Sequence, residues 1–101
     1  MSYYIYILQS KTLDRYYVGY SSNPWVREEQ HNLNGVEKYT GRAKDWELKC
    51  VFEAPSKQVA ISLERFIKRQ KSRVLIERLI EPTTILNGRL VELVRVPHLR
   101  D

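Results

Sequence analysis

Residues 15–31, with the sequence RYYVGYSSNPWVREEQH, hold several side chains that can move a proton or bind an anion. Tyrosine hydroxyls and the imidazole of His31 exchange protons, and the guanidinium of Arg27 is a permanent planar cation that matches the oxygens of a phosphate. Arg27 and His31 are four residues apart, so they share one face of a helix. The stretch is therefore either an aromatic hairpin followed by an ordinary surface helix or half of an active site.

Two strands must position the tyrosines. The run YYIYILQ at 3–9 and the run RYYVGY at 15–20 are β-branched and aromatic, and the polar SKTLD between them indicates an antiparallel hairpin. A register that pairs Tyr6 with Tyr17 sets the two phenols side by side on one face. Ile5 and Val18 then share the opposite face, which is the expected core side.

Helix-start signals place the remaining elements. Asn23-Pro24 opens a helix that is expected to run to about His31 or Asn32, with Asn34-Gly35 as its stop. The alternating WELKCVFE at 46–53 predicts a third strand. Pro55-Ser56 opens a second helix over about 57–70, and Ser72 caps a third helix over 73–80.

These elements predict an α/β (α+β) fold, in which a small three-stranded antiparallel sheet is flanked by helices. Residues 1–81 form the expected domain, and residues 82–101 are a C-terminal extension of unclear role. The extension contains RLVELVRV, which alternates like a strand. An additional edge strand, packing on the helices and a loosely ordered tail all remain open for it.

Composition limits the classes of function. The 101 residues are 43% apolar and 29% charged, as expected of one globular domain. The net charge of +5 favours phosphate-bearing partners through counterion release. The single cysteine, Cys50, excludes an internal disulfide and fits the reducing cytoplasm. No apolar run reaches the roughly 20 residues that a membrane-spanning helix needs.

The ordered set of these elements resembles the GIY-YIG nuclease family, and most closely its small stand-alone members, which are similar to the amino-terminal nuclease domain of an excinuclease. Tyr4-Ile5-Tyr6 matches the first signature element and Tyr17-Val18-Gly19 the second. Arg27 within NPWVREEQH and Glu64 within AISLERFIKRQKSR match the arginine and the metal-binding glutamate of the family. The resemblance covers about residues 3–80.

The resemblance implies hydrolysis of a phosphodiester with one divalent cation, Mg²⁺ or Mn²⁺. Tyr6 would act as the base or orient the water, with Tyr17 as its hydrogen-bonded partner. Arg27 would clamp the scissile phosphate, and His31 would donate to the phosphate or tune a tyrosine. Glu64 would hold the metal as its one protein ligand. A neighbouring cation would favour the phenolate of a tyrosine, whose ordinary pKa is about 10.

Basic residues extend the predicted site into a nucleic-acid contact. The expected DNA-binding positions are Gly19, Lys38, Arg42, Arg65, Lys68, Arg69, Lys71 and Arg73. A solvated helix face is the alternative for the lysines and arginines of this set. In the same way, Tyr6 and Tyr17 could be only a cross-strand aromatic pair, and Glu64 only an ion-pair partner of Lys68 at i+4.

The predicted function is a metal-dependent DNA endonuclease that acts on branched, damaged or foreign DNA, as in DNA repair. The alternative is a non-catalytic nucleic-acid-binding module with the same fold. The joint presence of Tyr6, Tyr17, Arg27 and Glu64 argues against this alternative, because binding alone needs neither phenols nor a carboxylate. A purely structural interaction domain would have no affinity for nucleic acid.

Overall fold

The structure, a computed structural model, describes residues 1–34 and 43–99. In this part of the chain it has four strands, three α-helices and one short 3-10 helix at Gly88–Leu90. The strands and helices follow one another as β1 (Tyr3–Ser10), β2 (Arg15–Ser21), α1 (Pro24–Asn34), β3 (Glu47–Ala54), α2 (Lys57–Arg69), α3 (Arg73–Ile80) and β4 (Val94–Val96). The mixed α+β class that the sequence predicts is confirmed.

The sheet has four antiparallel strands in the order β2-β1-β3-β4, so the prediction of three strands is wrong. The fourth strand comes from the C-terminal extension, where Val94 pairs with Glu53 and Val96 with Val51. An additional edge strand was one of three possibilities left open for RLVELVRV, and the structure forms it from the last three residues of that run. Leu90 and Leu93, just before β4, are buried in the core. The carbonyl of His98 accepts a hydrogen bond from Trp25 Nε1 at 2.8 Å, which ties the extension to α1.

The hairpin register differs by two residues from the predicted one. Tyr6 lies opposite Gly19, and Tyr17 lies opposite Leu8. The turn is shorter than predicted because Ser10 already pairs with Arg15 and Asp14 adopts a left-handed conformation with φ of 52°. Side chains alternate between the two faces of a strand, so a shift of two leaves Tyr6 and Tyr17 on the same face.

Helix caps fix the positions of the three helices. The side-chain oxygen of Asn23 accepts a hydrogen bond from Val26 N at 3.2 Å, as the Asn-Pro signal predicts. Ser56 caps α2 and Ser72 caps α3 in the same way. Each cap satisfies an amide that the first helical turn leaves without a partner inside the helix. The observed helices therefore begin at the predicted residues.

Helices cover both faces of the sheet. Ile5, Ile7 and Phe52 form one core cluster together with α2 and α3. Tyr6, Leu8 and Trp46 form a second cluster on the other face, against which Trp25 of α1 packs. Cys50 is buried, as its position in a strand suggests. No helix within 1–34 and 43–99 has the length and apolar character needed to cross a membrane.

Asp45 holds the hairpin turn against the segment that precedes β3. Its carboxylate accepts hydrogen bonds from Ser10 Oγ at 2.6 Å, from Thr12 Oγ1 at 2.9 Å and from Thr12 N at 3.0 Å. These bonds, and first among them the one from Ser10, lower the pKa of Asp45 to about 2. The end of β1 is thereby fixed, and β1 carries Tyr6.

Candidate active site

Tyr6 and His31 form a buried pair between the sheet and α1. The Tyr6 hydroxyl and His31 Nε2 are 3.1 Å apart and share a hydrogen bond. The tyrosine is 1% exposed and the histidine is fully buried. A hydrogen bond between two buried polar groups favours one defined geometry, because it is stronger in the protein interior than in water. The contact therefore fixes the orientation of the imidazole.

Tyr17 stands at the open side of this pair. Its ring centroid lies 4.8 Å from that of His31 and 6.2 Å from that of Tyr6. Tyr17 also lines an open groove of about 980 Å³ that runs between β2 and the two helices α2 and α3. Of the two phenols that the sequence singles out, Tyr17 is the one that faces this groove.

Gly19 makes room for both tyrosines. A Cβ atom at this position would lie 2.7 Å from the Tyr6 hydroxyl oxygen and 2.9 Å from Cε2 of Tyr17. Carbon atoms do not approach so closely, so any larger residue would displace at least one ring. The sequence prediction put Gly19 among the DNA-binding residues, and its described contacts are with the two phenols.

Arg27 lies one helical turn before His31 on α1. Its Nη1 donates a hydrogen bond to Gln30 Oε1 at 3.1 Å. Burial, with a smaller contribution from the positive charge of Arg27, lowers the pKa of His31 from 6.5 to about 4. His31 is therefore neutral near pH 7. One of its ring nitrogens carries a proton, and the other can accept a hydrogen bond.

Glu64 reaches the tyrosines through Lys68. The glutamate is on α2, 8% exposed, with Oε1 3.5 Å from the ammonium of Lys68. The same ammonium lies 5.4 Å from the centroid of the Tyr17 ring. The sequence allows an ion pair of Glu64 with Lys68 as an alternative to a metal-binding role. In the structure this pair joins the buried carboxylate of Glu64 to the groove, which Lys68 lines. A single lysine connects Glu64 to Tyr17 across the edge of the sheet.

The donor set suits a hard cation held by a lone carboxylate. Within the described residues no group of three or more His, Cys, Asp or Glu side chains could enclose a metal ion. Glu64 is a largely buried carboxylate that already has a cation, Lys68, beside it. Mg²⁺ and Mn²⁺ prefer oxygen ligands, and Mg²⁺ commonly keeps water and phosphate oxygens in its shell. The residues present therefore fit a cation whose other ligands come from water and substrate.

The predicted DNA-binding residues occupy different surfaces. Lys68 and Lys71 line the groove beside Tyr17. Arg73 also borders it, but its guanidinium is 2.7 Å from Asp14 Oδ1 and 3.5 Å from Glu77 Oε2, so its charge is balanced within the protein. Arg65 and Arg69 border another cavity, on the outer side of α2. Lys38 and Arg42 lie outside the described residues.

Comparison with known families agrees with the geometry. Residues 2–77 match the family model described as the GIY-YIG catalytic domain. This chain belongs to the GIY-YIG family. No curated protein and no solved structure is similar enough to the chain to count as a match. The family resemblance that the sequence motifs suggest is confirmed.

Membership of the GIY-YIG family indicates a nuclease-type function. GIY-YIG nuclease domains act on DNA and generally depend on a divalent metal. The sequence motifs supplied Tyr6, Tyr17, Arg27, His31 and Glu64, of which the structure brings the two tyrosines and His31 into direct contact.

The linking position of Lys68 and the use of Gln30 by Arg27 were not foreseen. Helical spacing of three or four residues could have indicated the contact between Arg27 and Gln30, and it did indicate the pair of Glu64 with Lys68. The contact of Lys68 with the Tyr17 ring joins two distant elements, and no short motif indicates it.

Proposed function

We propose that this protein is an endonuclease that hydrolyses phosphodiester bonds in DNA with one divalent cation. One observation carries the proposal, namely the unbroken series of contacts from Tyr6 to His31, from His31 to Tyr17, from Tyr17 to Lys68 and from Lys68 to Glu64. This series joins phenols, a neutral imidazole, a lysine and a carboxylate at one end of a groove. The nuclease unit would comprise residues 1–81, and residues 82–101 would be an extension that contributes β4.

Hydrolysis requires a water molecule that loses a proton and a phosphate whose negative charge is stabilised as the water attacks. We propose that Tyr17, rather than Tyr6, orients the attacking water or accepts its proton, because the Tyr17 ring borders the groove. Tyr6 is buried and would hold His31, whose ring packs on Tyr17. This arrangement exchanges the roles that the sequence alone suggested for the two tyrosines.

Arg27 and Lys68 supply positive charge, Arg27 beside His31 and Lys68 beside Tyr17. Arg27 would clamp the scissile phosphate, since a guanidinium binds two phosphate oxygens at once. Lys68 lies beside the Tyr17 ring and would favour the phenolate over the phenol. His31 is neutral near pH 7 and keeps its hydrogen bond with Tyr6 without adding to the charge at the phosphate.

Glu64 would hold the divalent cation. When bound, the ion would lower the pKa of a coordinated water and neutralise charge on the phosphate and on the leaving oxygen. Because Glu64 is a single carboxylate, we expect weak binding of Mg²⁺ or Mn²⁺ to the protein alone and tighter binding together with DNA.

Cleavage of supercoiled plasmid and of branched oligonucleotides with Mg²⁺ or Mn²⁺ tests the proposal. Glu64→Gln and Tyr17→Phe should each slow cleavage by about 10²-fold or more while DNA binding persists. Tyr20→Phe is the matched control, because it removes a phenol from the same strand but on the opposite face.

Two outcomes would refute the proposal. Binding without cleavage by the wild type, on all substrates and with both metals, would identify a non-catalytic binding module. Cleavage at the wild-type rate by Glu64→Gln would show that the activity does not arise at this site. Branched, damaged and foreign DNA are the substrates we propose to compare. We also propose a cytoplasmic location, with which the buried free thiol of Cys50 is compatible.

A further inference from the structure

We propose that α2 carries a second phosphodiester-binding site on its outer side, which contacts the strand of a duplex that is not cut. The site consists of Arg65, Arg69 and Arg89, called here the outer arginine patch. The inference rests on the proposed nuclease function and specifies its substrate as duplex DNA. The sequence predicts DNA contacts for Arg65 and Arg69 and no role for Arg89.

The patch is built on one face of α2. Gln58, Ser62, Arg65 and Arg69 follow one another at spacings of four, three and four residues, which places their side chains in one row along the helix. Arg89 joins this row from the 3-10 helix, twenty residues farther along the chain. Together with Phe66 these residues border a shallow cavity of about 300 Å³.

Arg89 is held in place by an aromatic contact. Its guanidinium carbon lies 4.8 Å from the centroid of the Phe66 ring, within the range of a cation–π interaction. A guanidinium that stacks on a ring keeps its N–H groups directed sideways and available to an anion. Two separate segments of the chain therefore bring arginines to the same cavity.

The positive charge of the patch is not balanced within the described part of the protein. Arg65, Arg69 and Arg89 form no ion pair there, whereas Lys68 pairs with Glu64 and Arg73 with Asp14. Glu92 and Arg89 line the same adjoining cavity, but they form no ion pair. Like charges that share a cavity repel one another, and a bound polyanion relieves this repulsion.

The patch and the active-site groove lie on different sides of α2. The cavities they border share no residue, and the groove includes Ile67, Lys68 and Lys71. A helix with its side chains is about 10–12 Å across, close to the width of the DNA major groove at about 12 Å. The phosphates of the two DNA strands that border the major groove can therefore contact both sides of α2. The strand to be cut lies beside Tyr17, so the patch contacts its complement.

Equilibrium binding measurements test the patch directly. The binding protein is the Glu64→Gln variant, so that DNA stays intact, and its affinity is compared for a single strand and for the same strand annealed to its complement. The test variant adds Arg69→Gln and Arg89→Gln. The control adds Lys44→Gln and Lys57→Gln, which remove the same charge from exposed positions outside the patch and the groove. Thermal unfolding checks that both remain folded.

We expect the patch variant to weaken duplex binding on the order of tenfold and to leave single-strand binding unchanged. Duplex affinity is measured at several salt concentrations between about 50 and 200 mM. The slope of log affinity against log salt should become shallower by the equivalent of about two phosphate contacts. Arg65→Gln alone, which leaves the contact between Arg89 and Phe66 intact, should remove about one contact.

Two results would overturn the inference. Equal losses in the patch variant and in the control would show that only net charge matters. Equal losses for single-stranded and duplex DNA would place the patch on the cut strand. Failure of the proposed function itself looks different, because the wild type would then cleave no DNA, whatever the behaviour of Arg69 and Arg89.

Discussion

The buried imidazole of His31 makes the stability of the protein depend on pH in a defined window. Burial and the charge of Arg27 lower the pKa of His31 to about 4, against 6.5 for an exposed histidine. The unfolded chain therefore binds a proton more readily than the folded one between these two values. Stability is highest above pH 6.5 and is lost as the pH falls towards 4.

The difference of pKa sets the size of the effect. Summed over the whole window, a shift from 6.5 to about 4 corresponds to about 3 kcal/mol of unfolding free energy. Roughly 2 kcal/mol of this is lost between about pH 7 and about pH 5. The loss arises because a protonated His31 would be a buried cation beside the positive charge of Arg27.

Urea unfolding of the wild type and of His31→Gln over this pH range measures the contribution. Glutamine can still bond to the Tyr6 hydroxyl but does not titrate, so the variant should lose about 2 kcal/mol less than the wild type between about pH 7 and about pH 5. His98 also has a lowered pKa, chiefly from burial, and His98→Gln is the control for its share. Equal pH dependence in the wild type and in His31→Gln, or a His31 pKa near 6.5 measured by NMR, would refute the reasoning.

Three further changes test the positions that support the site. Gly19→Ala should cost about 1–3 kcal/mol and abolish cleavage, since its methyl group would displace the Tyr6 ring; urea unfolding and plasmid cleavage measure the two effects. Leu93→Ala should destabilise by about 2–5 kcal/mol, whereas Leu99→Ala, at an 81% exposed position, should change the unfolding free energy by no more than about 0.5 kcal/mol. Asp45→Asn should lower the thermal midpoint and remove the loss of stability that the wild type shows as the pH falls from 3.8 towards 2, and an unchanged acid profile would contradict this.

The parts of the fold that were predicted correctly depend on local chemistry. Asn23, Ser56 and Ser72 each have a side-chain oxygen that accepts a hydrogen bond from a free amide of a helix start, and this signal acts over three residues. The hairpin register was wrong because it depends on the turn, where Asp14 adopts a left-handed conformation that the run SKTLD did not reveal. The error of two residues preserved the alternation of faces, so Tyr6 and Tyr17 were still expected on the same side.

The relations between elements were harder to predict. The contact of Tyr6 with His31 spans 25 residues and depends on the angle at which α1 crosses the sheet. No short motif encodes such an angle, because it results from the packing of α1 on Trp46 and its neighbours. The burial of Leu90 and Leu93 depends likewise on the path of the extension back to β3.

The position of β2 at the edge of the sheet explains how so few residues can form the site. Tyr6, Tyr17 and His31 lie on the face covered by α1, whereas Glu64 is on α2 at the other face. In the interior of a sheet, the neighbouring strands would separate these two groups. At an edge, the long side chain of Lys68 can extend from Glu64 to the ring of Tyr17. Gly19 in the same strand keeps the backbone close to both phenols. A phosphate that entered the groove beside β2 would therefore meet groups from both faces, which is why we propose that the cut strand lies there and its complement at the outer arginine patch.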